Sequence, residues 1–181
     1  GFADVWAKAF LKHSYHLEST VAASLPSLIF IGMCFGAPVL SFVAEKVGNY
    51  LITIIGAGIA MAAGFSLLLF FPMTFSLLSL IFIIVGVCCA YQILAIYKAS
   101  TYVREEVAGL TTAVSNMIIM IFGYGFHTVI GGVVNIFGGT TASRALNLGV
   151  AVIPIALCLG TAGYALLFMK ERNTLKKGVE V

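Results

Sequence analysis

Five times along this chain an apolar run of roughly bilayer length ends in a short polar stretch. The runs cover residues 20–43, 50–71, 75–98, 110–137 and 146–169. A helix crosses the hydrocarbon core with about 20 apolar residues. Inside lipid, every backbone polar group must be satisfied within the segment itself, which leaves the helix as the form these runs can take. The expected fold is therefore all-α, an integral membrane helical bundle. Composition closes the alternatives. Only 9% of the residues are charged, against about 25% in soluble domains, too few to clothe a globular surface in water. The mean hydropathy of +1.08 excludes disorder, which requires low hydrophobicity.

The tightest reversal lies between Gly32 and Asn49, where a glycine-notched apolar helix meets a charged elbow and Tyr50 at once begins the next run. Gly32 and Gly36 form a GxxxG face, and Gly56, Ala60 and Gly64 repeat the spacing in the second run. Small residues at such intervals let helix backbones approach closely in lipid. Bends are expected at Pro26, Pro38 and Pro154, because proline removes an intrahelical hydrogen bond. Asn116, a polar group inside the fourth run, is expected to bond across helices. Residues 1–16 are too short to span, and are expected to be the outer part of a truncated helix or an interfacial one. Residues 170–181 form a basic tail.

A net charge of +3 does not point to nucleic acid, because the basic residues sit between and after the apolar runs. Alternation puts Lys46, Lys98, Arg104, Lys170, Arg172, Lys176 and Lys177 on one side, with Lys12 and Arg144 on the other. By the positive-inside rule the first side, with the C-terminus, is cytoplasmic. Gly1 opens without a basic segment, so no cleaved leader is expected. The four cysteines, Cys34, Cys88, Cys89 and Cys158, lie in apolar runs without metal-site spacing and read as small hydrophobes.

An ionisable side chain within a span is costly and marks a candidate functional position. Asp4, Lys8 and Lys12 share one helical face. They form a site for proton coupling or an anionic solute, or else a helix end at the headgroups with its lysines reaching for water. His127 is the only histidine inside a complete span, close to Tyr124. Histidine is the side chain suited to proton exchange near neutral pH, and the alternative for His127 is a hydrogen-bonded packing role. Tyr91 and Gln92 interrupt the third run, and are expected to face a cavity rather than lipid. His13, His16 and Glu18 lack a third ligand fixed by spacing, so no metal site is read there. No P-loop, zincin helix or nucleophile elbow occurs. The expectation is a protein that is not an enzyme and has no cofactor.

The elbow carries a resemblance. Gly36-Ala-Pro38, Ser41, Ala44-Glu45-Lys46 and Gly48-Asn49 resemble the G-x-P-x-x-G-x-x-S-D-R-x-G-R loop of the major facilitator superfamily, with Ser41, Glu45 and Asn49 departing from it. Gly109 to Met117 resembles the G-T-A-x-G-x-x-N-M opening of that family's eleventh helix. Phe126-His127 to Gly131 sits where relatives have F-Q-P-L-I-G, and Phe2 to Leu11 looks like the outer end of the seventh helix of bacterial members. The resemblance implies the C-terminal six-helix half of a secondary transporter, its first helix truncated, in a bacterial inner membrane. It also implies a missing N-terminal half as partner, a cavity between the two for a small solute, and a symport or antiport cycle of alternating access. Gly36, Pro38, Glu45, Lys46 and Gly48, with Arg104, Glu105 and Glu106, would form the cytoplasmic gate. The alternative is a non-transporting membrane scaffold that docks a partner complex through its glycine faces.

Overall fold

A computed structural model describes residues 2–178, and for 175–178 the helix path alone. The side chains of Lys176 and Lys177, and the last three residues, lie outside what is described. The fold is all-helical, with no strand among the described residues. The elements are α1 (Phe2–Val5), α2 (Ala7–Ser14), α3 (Ser19–Ser24), α4 (Ser27–Val47), α5 (Tyr50–Phe70), α6 (Phe75–Cys89), α7 (Tyr91–Ser100), α8 (Glu105–Ile136) and α9 (Ser143–Gly178). Joined across minor breaks, they give five helices long and apolar enough to cross a membrane: Ser19–Val47, Tyr50–Phe70, Phe75–Ser100, Glu105–Ile136 and Ser143–Thr174. The chain is that of a multi-pass membrane protein.

The boundaries depart from the pattern in instructive places. Proline cannot donate an amide, and the first span breaks at Leu25–Pro26, whereas Pro38 and Pro154 are carried inside their helices. The fourth helix starts at Glu105, earlier than the apolar run. Glu105 and Glu106 occupy its first turn, where carboxylates favour the positive end of the helix dipole. Residues 170–178 continue α9 instead of forming a separate tail. Within residues 2–16 are two short helices joined at Trp6, with Ala7, Phe10 and Leu11 fully buried against the bundle.

The elbow is built from two local devices. Gly48 takes φ 71°, and its amide donates to Ala44 O at 2.9 Å and Glu45 O at 3.1 Å. Such a left-handed cap closes a helix without steric cost only at glycine or the like. Asn49 then caps the next helix, its Oδ1 accepting from the amides of Leu51 (2.9 Å) and Ile52 (3.2 Å). The residue that replaces a basic one in the resembling motif thus has a structural task of its own.

Glycines fix the packing. On α4 and α6 the backbones meet directly: a Cβ on Gly32 would collide with Ile83 O and lie 3.0 Å from Gly86 Cα, and one on Gly86 would collide with Ile29 O. Gly36 abuts Val87 and Ala90, and Gly64 abuts Val85 at 2.9 Å. Gly56 does not belong to this set, since nothing lies within 4 Å of a Cβ there. The close approach on α5 is at Gly58 instead, against Thr161 of α9. Ala60 is half-buried at the margin of the core. At the centre Phe2 stands edge-on to Phe65 (5.2 Å, 87°) and near Phe10 and Phe82. By contrast α8 buries only Ile130 and Val134.

Candidate functional site

The third span is interrupted at Ala90. Its amide donates to Val87 O at 3.2 Å and its carbonyl accepts from Ile93 at 3.0 Å, a tight turn set among the small side chains of Cys88, Cys89 and Ala90. This break starts α7 with Tyr91 and Gln92 in its first turn. Both line a cavity of about 480 Å³ bordered by α1, α4, α5, α6, α7, α8 and α9.

Four of the residues expected at a solute or coupling site meet there. Asp4 comes from α1, Tyr91 and Gln92 from α7, and His127 from α8. Lys8 and Tyr124 do not join them. Lys8 is exposed, and Tyr124 is 76% exposed on the open side of α8. Around the polar groups stand Phe2, Phe30, Phe65, Phe126 and Tyr164, with Met33 and Met61. Thr161 and Tyr164 of α9 are polar lining residues that the sequence reading did not single out. A threonine and a tyrosine one turn apart (i, i+3) inside an apolar run were the available signal. Among the described lining residues Asp4 alone carries a formal charge.

Beside the cavity the indole of Trp6 packs over Gly131, its Cζ2 3.5 Å from where a Cβ would be. Trp6 Nε1 and His127 Nδ1 are both buried without a hydrogen-bond partner among the described residues. Native interiors rarely leave such atoms unpaired, so two in one neighbourhood mark a place with capacity to bond something further.

The ion pairs and polar ties between helices lie away from the cavity. At one end Lys98 Nζ lies 3.0 Å from Glu171 Oε1, Tyr102 donates its hydroxyl to the same carboxylate, and Tyr50 packs on Tyr97 at 5.1 Å. Glu45 and Lys46 at the elbow are exposed, and neither makes an ion pair among the described residues. Arg104 pairs with Glu106 at 3.2 Å, both strongly exposed. The expected gate cluster is thus divided. Gly36 and Gly48 act in packing and capping, and the pair that ties two helices is Lys98–Glu171. At the opposite end Ser143 Oγ donates to His13 O at 2.6 Å, and Ser14 Oγ to Asn147 Oδ1 at 2.7 Å. Asn116 is exposed on α8 and makes no hydrogen bond among the described residues, so it does not tie helices together within this chain.

Comparison with protein-family models, with curated proteins and with solved structures gives no significant match.

Proposed function

We propose that this chain is one bundle of a secondary transporter of the major facilitator type, and that a small solute passes through the cavity flanked by Asp4, Tyr91, Gln92 and His127. The observation that carries this is convergence: polar side chains from three separate elements meet in one cavity within a bundle of apolar helices. Sites of this kind are concave, mostly apolar, and oriented by a few polar groups. A second bundle, the N-terminal half, would supply the opposite wall against α8, whose exposed side carries Leu110, Met117, Ile121 and Tyr124. The end bearing Lys46, Lys98, Arg104 and Lys170 would face the cytoplasm of a bacterial inner membrane. No enzymatic step and no cofactor enters this mechanism.

The scaffold alternative needs glycine faces free for a partner. Of the expected faces, Gly32, Gly36 and Gly64 are already in contact with other helices of this chain and Gly56 alone is open, too little for a glycine-mediated dock, which favours transport.

Cysteine accessibility tests the proposal. Met33 lines the cavity and is partly exposed. With the four native cysteines replaced by alanine, a Met33→Cys variant paired with the second bundle should react with a water-soluble maleimide from either face of the membrane. A thiol unreactive from both faces overturns the proposal.

A further inference from the structure

The cavity sorts its side chains by element, a property that the transport proposal does not use. We propose that its solute is an uncharged aromatic compound carrying hydrogen-bonding oxygen atoms, an inference that rests on reading the cavity as a solute site. Three observations converge. First, the hydrogen-bonding side chains of the wall come from the later helices: Tyr91 and Gln92 from α7, His127 from α8, Thr161 and Tyr164 from α9. All five are half-buried, and none of these side chains hydrogen-bonds another group among the described residues. Second, the earlier helices supply rings and thioethers: Phe2 from α1, Phe30 and Met33 from α4, Met61 and Phe65 from α5. Third, no lysine or arginine is among the described lining residues, while Asp4 is exposed and already has an interaction within the chain.

Polar groups drawn into a protein interior normally find partners, so these five side chains hold bonding capacity for a ligand. The glutamine amide and a neutral imidazole each offer a donor and an acceptor, and the three hydroxyls can act as either. Hydroxyl or carbonyl oxygens on a solute answer all of them. The rings of the earlier helices suit a flat apolar body, met edge-on or offset-stacked, and the methionines adapt to its outline. A full charge of either sign would leave water with no uncommitted counter-charge among the described lining residues, a heavy cost in apolar surroundings. The volume of about 480 Å³ falls within the range of roughly 300–1,000 Å³ of sites for drug-sized molecules. A sugar would leave the rings unmatched, and a plain hydrocarbon would leave the polar side chains unmatched.

The test uses four probes that share one ring system: pyrene, acetylpyrene, the anion pyrenecarboxylate and the cation pyrenylmethyl-trimethylammonium, on the full chain in lipid nanodiscs. The readout is the rate at which an uncharged maleimide labels Met33→Cys, with a chain retaining only native Cys34, which is exposed, as the control for non-specific partitioning. Phe30→Cys, another lining position, serves if Met33→Cys does not fold. Acetylpyrene should slow labelling saturably at the cavity cysteine and not at Cys34. Pyrene should need about tenfold more for the same protection, the worth of one net hydrogen bond, and neither ion should protect saturably. Gln92→Leu combined with Thr161→Val should erase most of that tenfold preference without changing helix content. No protection by acetylpyrene, equal protection by pyrene, saturable protection by either ion, or a preference undiminished in the double variant would overturn the assignment and leave the solute cavity standing. If the folded cavity-cysteine chain does not react even without ligand, the solute site itself falls, and the assignment with it.

Discussion

Lys98 on α7 and Glu171 on α9 hold each other at 3.0 Å, and the ring of Tyr102 lies 4.8 Å from the same ammonium. The pair ties the end of the third span to the end of the fifth. Its side chains are about a quarter exposed (24% and 26%), so the pair contributes little to stability. Its position, two turns beyond Tyr91 and Gln92 on the same helix, suits a latch. Glu171→Gln should lower stability by less than about 1 kcal/mol, as for a partly solvated pair. It should nonetheless raise the rate at which maleimide reaches Met33→Cys from that end. Unchanged labelling would remove the latch role.

The alternation of the spans along the chain fixes a topology. Membrane-impermeant lysine reagents on oriented vesicles should label Lys46 and Lys170 from one face and Lys12 from the other. Labelling of Lys46 and Lys12 from the same face would contradict the fold.

Glycine substitutions should separate sharply by position. Gly86→Ala forces a methyl into the backbone of α4, and overpacking of this kind costs about 1–3 kcal/mol; thermal unfolding in detergent should show it. Gly56→Ala meets open space and should be neutral or stabilising, as alanine favours helix over glycine by about 1 kcal/mol. Gly64→Ala should fall between, because its obstacle is a methyl of Val85 rather than backbone.

His127 should trade stability against function. An unsatisfied buried polar atom costs about 1–3 kcal/mol, and Nδ1 of His127 is one. His127→Leu should therefore unfold at a higher temperature than the parent chain, and His127→Gln near the parent value. A clear loss of stability in His127→Leu would mean that the imidazole already has a partner in the folded chain.

Tyr15 anchors the C-terminal end of α5, its hydroxyl 2.7 Å from Leu68 O and 3.1 Å from Phe71 O. Tyr15→Phe should lose about 1 kcal/mol, the net worth of one hydrogen bond. Burial holds the phenol above its ordinary 10.0. A raised folded-state value means that the native chain keeps the proton more tightly than the unfolded one. The stabilisation is therefore complete below pH 10 and lost as pH climbs through the folded-state value. Unfolding measured from pH 8 to pH 11 should show a decline in the parent that is smaller in Tyr15→Phe.

The spans were legible in the sequence because length and apolarity alone define them. Which face of each helix turns inward was not, since lipid is as apolar as the bundle interior and the usual amphipathic stripe is weak. That is why the spacing of Gly56, Ala60 and Gly64 reads as one contact face, although Gly56 meets nothing and the close approach is made by Gly58 against Thr161. The break at Ala90 has no proline or glycine to announce it. Polar residues inside apolar runs were the strongest guide. Asp4, Tyr91, Gln92 and His127 reach one cavity, while Tyr124, only about 60° around α8 from His127, is 76% exposed and stays outside its lining.

The contact at Gly32 and Gly86 has a mechanical corollary. Where main chain touches main chain there is no side chain to re-rotamerise, so α4 and α6 can slide or tilt only as a welded pair. Any motion that opens the bundle must then be absorbed by α8, which buries only two residues over a full membrane-length helix, leaving one stiff keel and one loose plank.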